Sequence, residues 1–407
     1  MKCRHCASSL EHIFLDLGFA PPSNAYLTQA GLSRPETYFP LRVRVCDNCW
    51  LVQTEDYARA DELFNADYAY FSSASKGWLT HAANYAQQMI EQLSLDKNSL
   101  VVEIASNDGY LLRNFVEKGI PCLGIEPTDS TAQVAMSLGI EVLKEFFGQG
   151  LAEELRDTGR QADLIAGNNV YAHVPDINDF TRGLKTALKP SGTITLEFPH
   201  LLQLIEQVQF DTIYHEHFSY LSLYTVQRIF ASAGLRVFDV QTLTTHGGSL
   251  RVFGCHVDDS RDTQKSVAMM LTKEKNAGLQ DLDVYLGFQA RANALKDELL
   301  KFLLEQKKAG HKVVAYGAAA KGNTLLNYAG IKPDLLEFVV DVAPAKQGKY
   351  MPGSHIPIQG PETLAKSQPD YVLILPWNIA NEVIMQNENL YRSGVRFVTA
   401  VPTLKVL

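Results

Sequence analysis

Leu100-Val-Val-Glu-Ile104 runs without a spacer into Ala105-Ser106-Asn107-Asp108-Gly109, and a helical pattern opens at Tyr110-Leu111-Leu112. A short apolar strand followed at once by a turn and a helix is the opening unit of a parallel sheet, because a crossover lets the next strand run the same way. Cys122–Glu126, Ala162–Ala166 and Gly192–Glu197 read as further strands with helical sequence between them, and a helix is predicted over Trp78–Leu93. This part of the chain is therefore α/β, a parallel sheet wrapped on both faces.

Ligands of open parallel sheets sit beyond the carboxyl ends of the strands. Glu103 stands near the end of the first strand, Ala105 and Asn107 lie in the turn, and Gly109 permits close backbone approach. Glu126 ends the next strand, where a carboxylate can accept both hydroxyls of a ribose. Asn168 and Asn169 end a later strand at the same rim. Adenosine carrying a charged amino-acid tail would fill such a cleft. The turn lacks the G-x-G-x-x-G phosphate fingerprint, which argues against a dinucleotide there.

At 407 residues the chain suggests two or three domains, and 46% apolar with 20% charged residues is a globular composition. A net charge of −8 excludes a protein that coats duplex nucleic acid, and no apolar run approaches the about 20 residues that span a bilayer. No signal-peptide core follows Met1, so cytoplasmic residence is expected. Cys3 and Cys6 form one C-x-x-C pair, and Cys46 and Cys49 form another; four thiolates in two knuckles suit tetrahedral zinc. Such a closed shell has no position for substrate, so the metal is structural. Cys122 and Cys255 stand in apolar surroundings and read as small core residues.

Two segments concentrate ionisable groups. One runs from Asn168 through Tyr171 and His173 to Asp176, and the other is Asp211-Thr-Ile-Tyr214-His215-Glu216-His217-Phe218-Ser219-Tyr220. Burying four such groups unpaired would be costly, so the second segment reads as catalytic in preference to a structural polar network or an H-x-H metal site. H-E-x-x-H is absent.

The last third repeats the α/β pattern. A long amphipathic helix is expected over Leu282–Lys308, with Phe288, Leu295, Leu299 and Phe302 on its packing face. The strand Lys312–Tyr316 then leads into Gly317-Ala-Ala-Ala-Lys321-Gly322-Asn323 and a helix, and small residues before a helix start present N–H groups to an anion, to which Lys321 adds charge. Strands Leu336–Val340 and Tyr371–Leu375 end at Asp341 and at Trp377-Asn378. An acid at that distance also fits a nicotinamide dinucleotide site, so a dehydrogenase or epimerase is the rival reading, although Gly317 and Gly322 do not complete the fingerprint.

The paired cysteines, the Glu-Ile-Ala-Ser-Asn-Asp-Gly turn, Ala172-His-Val-Pro-Asp176 and Tyr214-His-Glu-His-Phe-Ser-Tyr-Leu221 together resemble the nucleotide-sugar C-methyltransferases, nearest those acting at C-3 of thymidine-diphosphate-linked 4-keto-deoxysugars. The resemblance implies a zinc-binding domain (1–60), a Rossmann-like S-adenosylmethionine-dependent methyltransferase domain (61–245) and a C-terminal Rossmann-like nucleotide-sugar-binding domain (246–407). It implies His217 as the base that forms an enolate, with Tyr214, Glu216, Tyr68 and His173 around the sugar. It also implies substrate contacts at Tyr70, Lys321, Gly322, Asn323, Asp341, Trp377, Asn378 and, from the His246–Arg251 segment, Arg251. A regulator that uses these residues only for recognition is a third reading. Nothing in the sequence demands a dimer, and a monomer is the expectation.

Overall fold

The computed structural model describes residues 1–57 and 71–407, which form three packed units in chain order. Tyr68 and Tyr70 lie outside the described residues. The first unit contains β1 (His12–Ala20), β2 (Phe39–Val45) and β3 (Val52–Thr54), paired antiparallel. Its two cysteine knuckles are closed alike: Ala7 and Trp50 each follow a second cysteine with positive φ, and their N–H groups donate to the carbonyls of Cys3 and Cys46 at 3.0 and 2.8 Å.

The second unit supplies β4 (Val101–Ile104), β5 (Cys122–Ile125), β6 (Glu141–Leu143), β7 (Ala162–Asn168), β8 (Leu188–Pro199), β9 (Ser219–Tyr220), β10 (Leu235–Leu243) and β11 (Ser249–His256). Short β9 leaves this unit and pairs antiparallel with β3, making it the fourth strand of the N-terminal sheet. The other seven form one sheet in the order β6-β5-β4-β7-β8-β11-β10, parallel from β6 to β8 and closed by an antiparallel hairpin. The strand order reverses between β4 and β7, which opens a ligand crevice at their carboxyl ends. The antiparallel pair was not expected from sequence. It arises because the connection from Leu243 to Ser249 is too short for a crossover and turns on Gly247 and Gly248, both at positive φ. That hairpin carries the central sheet past residue 245, the boundary expected from sequence, to His256.

The third unit has β12 (Val313–Tyr316), β13 (Val339–Val340), β14 (Ile358–Gln359), β15 (Tyr371–Ile374), β16 (Arg396–Thr399) and β17 (Lys405–Val406), in the order β14-β13-β12-β15-β16-β17, with only the last pair antiparallel. The long helix expected before it is interrupted at Gly287 into Leu282–Leu286 and Phe288–Ala309, and Phe288, Leu295, Leu299 and Phe302 are buried as expected. The strand expected from Leu336 is shorter because Lys332–Leu336 closes a turn, with the Leu336 N–H on the Lys332 carbonyl at 3.2 Å.

The N-terminal unit is wedged against both others. Phe14 stacks on Phe288 at 4.7 Å and meets Tyr285 edge-on, while Cys3, Leu10, Cys46, Cys49 and Leu51 belong to the apolar core under the central sheet. Burial of Phe14, Phe288 and Leu51 contributes roughly 1.5–3 kcal/mol each. No helix among the described residues is long and apolar enough to cross a membrane.

Candidate active site

The Sγ atoms of Cys3, Cys6, Cys46 and Cys49 all lie within 4.8 Å of one another, with Cys3–Cys49 and Cys6–Cys46 at 3.5 Å. Disulfide sulfurs would be about 2 Å apart. Tetrahedral ligands at about 2.3 Å from zinc sit close to 3.8 Å from each other, so the donor set fits zinc. The hydrogen bond from Cys49 draws the Cys3 thiol down and pushes its partner up, because two sulfurs this close share one proton.

The turn after β4 is held in a strained form. Ala105 and Asn107 have φ of 58° and 49°, and the Glu126 carboxylate accepts from the N–H groups of Asn107 and Thr128, both at 2.9 Å, tying the turn to the end of β5. Gly109, at φ +78°, packs so closely on the helix Asp129–Ser137 that a Cβ would lie 3.3 Å from Ala135 Cα and 2.5 Å from Cδ1 of Ile140, just past that helix. Gly109→Val is expected to cost about 1–3 kcal/mol and to weaken cofactor binding with it. Thermal melts and calorimetric titration check this, and an unshifted melt would show that the turn tolerates a side chain.

Several acceptors at the crevice lack donors. Neither oxygen of fully buried Glu103 accepts a hydrogen bond of normal geometry, and Asp108 Oδ1, Asn168 Oδ1 and Asn169 Oδ1 are likewise unpartnered. Burial pushes the Glu103 carboxyl well above the usual carboxylate range, and the Tyr110 hydroxyl beside it pulls partway back. An ammonium group and sugar hydroxyls are what this set is missing. The residues fit S-adenosylmethionine, which Glu103, Asn107, Glu126, Asn168 and Asn169 could hold.

A second charged network, which sequence reasoning missed, stands beside the crevice. Glu197 Oε2 accepts from Arg251 Nη2 at 2.7 Å and meets His81 Nε2 at 2.9 Å, and Thr245 donates to Oε1 at 2.8 Å. Burial alone would raise the Glu197 carboxyl, but His81 and Arg251 carry it below its ordinary value. Arg251 was expected to touch substrate. It is instead committed to this network, 3% exposed and lying over the Tyr85 ring at 4.5 Å, because its position on β11 points it into the central unit. An acid at a strand end was the available signal for Glu197; His81, inside an amphipathic helix, gave none.

The histidine segments converge. The His173 and His217 rings are 4.6 Å apart, and Tyr214 lies against His217 at 3.9 Å. His217 Nδ1 is 2.8 Å from the Thr212 carbonyl, and His173 Nδ1 is 2.8 Å from the Glu216 carbonyl. A carbonyl only accepts, so each Nδ1 carries the proton and each neutral ring keeps its lone pair on Nε2. Burial, then the neighbouring His173, hold His217 well below the usual histidine range, and burial takes His173 down to about 4. Glu216 turns away toward the N-terminal unit, where Asn24 Nδ2 donates to Oε1 at 3.1 Å, and burial raises its carboxyl. His215, also in the segment, packs edge-on to Phe39.

The C-terminal unit closes the site from the other side. Lys321 Nζ donates to Asn378 at 2.7 Å and lies 4.6 Å from the Trp377 ring, while Trp377 Nε1 donates to buried Asp211 at 2.7 Å. Burial raises Asp211 to about 6 and lowers Lys321; the charge of Lys321 in turn depresses His217 and His246. Lys321 is thus near enough for its charge to act on both imidazoles. Of the other expected contacts, Gly322 leaves 2.8 Å between a would-be Cβ and Leu375, Asn323 donates its amide to the Ser23 carbonyl at 2.6 Å and keeps a buried Oδ1 without a donor, and Asp341 accepts from the N–H groups of Ala318 and Ala343 at 2.7 and 2.8 Å.

A crevice at the switch point of such a sheet, lined by unmet acceptors and faced by neutral imidazoles, defines a methyltransferase that uses S-adenosylmethionine. The family described as methyltransferase domain matches residues 78–240, flanked by a zinc binding domain over 3–64 and a C-methyltransferase C-terminal domain over 244–402. The chain belongs to the C-methyltransferase family: it is 34% identical over 406 residues to C-methyltransferase NovU of Streptomyces niveus, covering 100% of this chain and 96% of that protein. It is also 29% identical over 97 residues to a ubiquinone biosynthesis O-methyltransferase of Azorhizobium caulinodans, across 24% of this chain and 38% of that one. A solved S-adenosylmethionine-dependent methyltransferase from Clostridium acetobutylicum shares 11% identity at a TM-score of 0.36, covering 44% of this chain and 92% of its own. Family membership decides against the dehydrogenase reading of the last third.

Proposed function

We propose that this enzyme methylates C-3 of a 4-keto-deoxysugar carried on thymidine diphosphate, with His217 as the base. The observation that carries the reading is the hydrogen bond from His217 Nδ1 to the Thr212 carbonyl, which leaves Nε2 as the proton acceptor. Bound S-adenosylmethionine supplies an electrophilic methyl group. His217 Nε2 takes the proton from the carbon beside the ketone, the C–H electrons pass into an enolate, and that carbon then forms the new C–C bond as the methyl–sulfur bond breaks. Tyr214 and His173 line the sugar, and Lys321 at the helix start holds the diphosphate. The nucleotide-sugar substrate is supported by the kinship with NovU and by the sequence resemblance. On this reading residues 1–60 bind zinc, the methyltransferase unit runs on to His256, and the remainder grips the nucleotide. One chain supplies every group named, so we take the monomer as the working form, and six cysteines without a disulfide, four of them gathered as a zinc donor set, suit the reducing cytoplasm.

The test is incubation with the keto-sugar nucleotide and S-adenosylhomocysteine in deuterated water. Deuterium should enter at C-3 with wild type, and absence of exchange would refute the base. The pH response is a further expectation. An ordinary histidine would be half protonated near pH 6.5. His217 is depressed, so kcat/KM should stay flat as pH falls from 7.5 to about 6 and decline only below that; a midpoint at or above 6.5 would contradict the burial argument.

A further inference from the structure

The loop after β1 threads from the zinc-binding unit into the cleft. Ser23 is buried and its carbonyl takes the Asn323 amide at 2.6 Å, and the Tyr26 hydroxyl donates to the Ala318 carbonyl at 2.6 Å. Lys346 Nζ lies 5.3 Å from the Tyr26 ring. The loop is thus pinned to the C-terminal unit on both sides of Asn24. From that fixed point Asn24 Nδ2 reaches the central unit and donates to Glu216 Oε1 at 3.1 Å. Glu216 Oε2 is buried without a partner, as are the Tyr220 hydroxyl and Asn323 Oδ1. Three unpaired polar atoms from two units around one pinned loop are costly unless substrate completes them.

We propose that Asn24 is a positioning residue: the N-terminal unit orients the Glu216 carboxyl through it and so forms a third wall of the sugar site. Glu216 is next to His217, and its carbonyl anchors His173. A carboxyl released from Asn24 can rotate about its χ angles, and the pocket then loses a fixed polar group. The effect falls on turnover more than on cofactor binding, because no residue of the S-adenosylmethionine crevice touches this loop through a described hydrogen bond. The proposal rests on the keto-sugar reading for its kinetic arm only.

Asn24→Ala should lower kcat at least about tenfold, as expected for loss of one hydrogen bond to a buried acid, with S-adenosylmethionine affinity within about twofold of wild type. In infrared spectra the Glu216 carboxyl band, identified as the one missing from Glu216→Gln, should shift in Asn24→Ala. A merely structural asparagine would lower the melting temperature and leave the band in place. An unmoved band, or a shifted band with wild-type kcat, overturns the positioning role. If wild type itself fails to turn over the sugar, the keto-sugar reading falls and the infrared band alone decides on Asn24.

Discussion

His217→Asn should reduce methyl transfer by about a thousandfold, within the 10²–10⁴ range that a positioned base contributes, and leave S-adenosylmethionine affinity unchanged. Asparagine can still donate its amide to the Thr212 carbonyl, so the local backbone keeps its anchor, but it offers no basic nitrogen. The crevice acceptors Glu103, Glu126 and Asn168 belong to β4, the loop after β5 and β7, none of which depends on the imidazole. A thousandfold is about 4 kcal/mol of transition-state stabilisation. The same substitution should change acid stability with a definite sign. The folded imidazole is depressed below its unfolded value of about 6.5, so the unfolded chain binds the extra proton more readily. Its contribution to stability is complete above about pH 6.5 and is lost as pH falls toward the folded value. Asparagine does not titrate, so the variant should lose less stability than wild type between pH 7 and pH 5 in urea melts. Wild-type turnover in this variant would remove His217 from the chemistry, and equal acid losses would place it in solvent.

The sequence carried the crevice more fully than the cleft. Glu103, Asn107, Gly109 and Glu126 lie within two strand–turn units, where local pattern dictates geometry, and the structure gathers them at one rim. The two cysteine knuckles were equally legible because their spacing is their geometry. What escaped were contacts between distant segments. Asn24 and Glu216 are joined across 192 positions, Asp211 and Trp377 across 166, and His81 and Glu197 across 116. No periodicity records such pairings. β9 is the sharpest case, because two residues inside the histidine-rich segment complete the sheet of another unit. Arg251 shows the converse hazard: a charged residue in a notable motif was read as a substrate contact, when strand register had turned it inward to neutralise Glu197.

That stray strand makes metal removal the second large expectation. Stripping zinc should unfold the N-terminal sheet and, through it, reduce methylation by at least about a hundredfold. A unit of about sixty residues buries so little surface that it is marginal alone, and structural zinc sites contribute on the order of 10–16 kcal/mol in isolated peptides. Without the metal, the thiols of Cys3, Cys46 and Cys49 remain buried at 3% exposure or less with no cation to hold them in register. The damage then travels along named bonds. β3 pairs with β9, the Thr54 N–H donates to the Phe218 carbonyl at 3.1 Å, and the Thr54 hydroxyl donates to the His217 carbonyl at 3.2 Å. Losing β3 therefore frees the backbone that carries His217, the proposed base. The cofactor crevice stands on the central sheet and should keep most of its affinity. Chelation or Cys49→Ser, followed by metal analysis, hydrogen exchange and calorimetry, separates these effects: faster exchange is expected in β1–β3 and around residues 218–220, with little change in β4 and β7. Metal-free protein with unaltered exchange in the N-terminal sheet and full turnover would show that the four sulfurs are dispensable, and with them the proposed hold of the first unit on the active site.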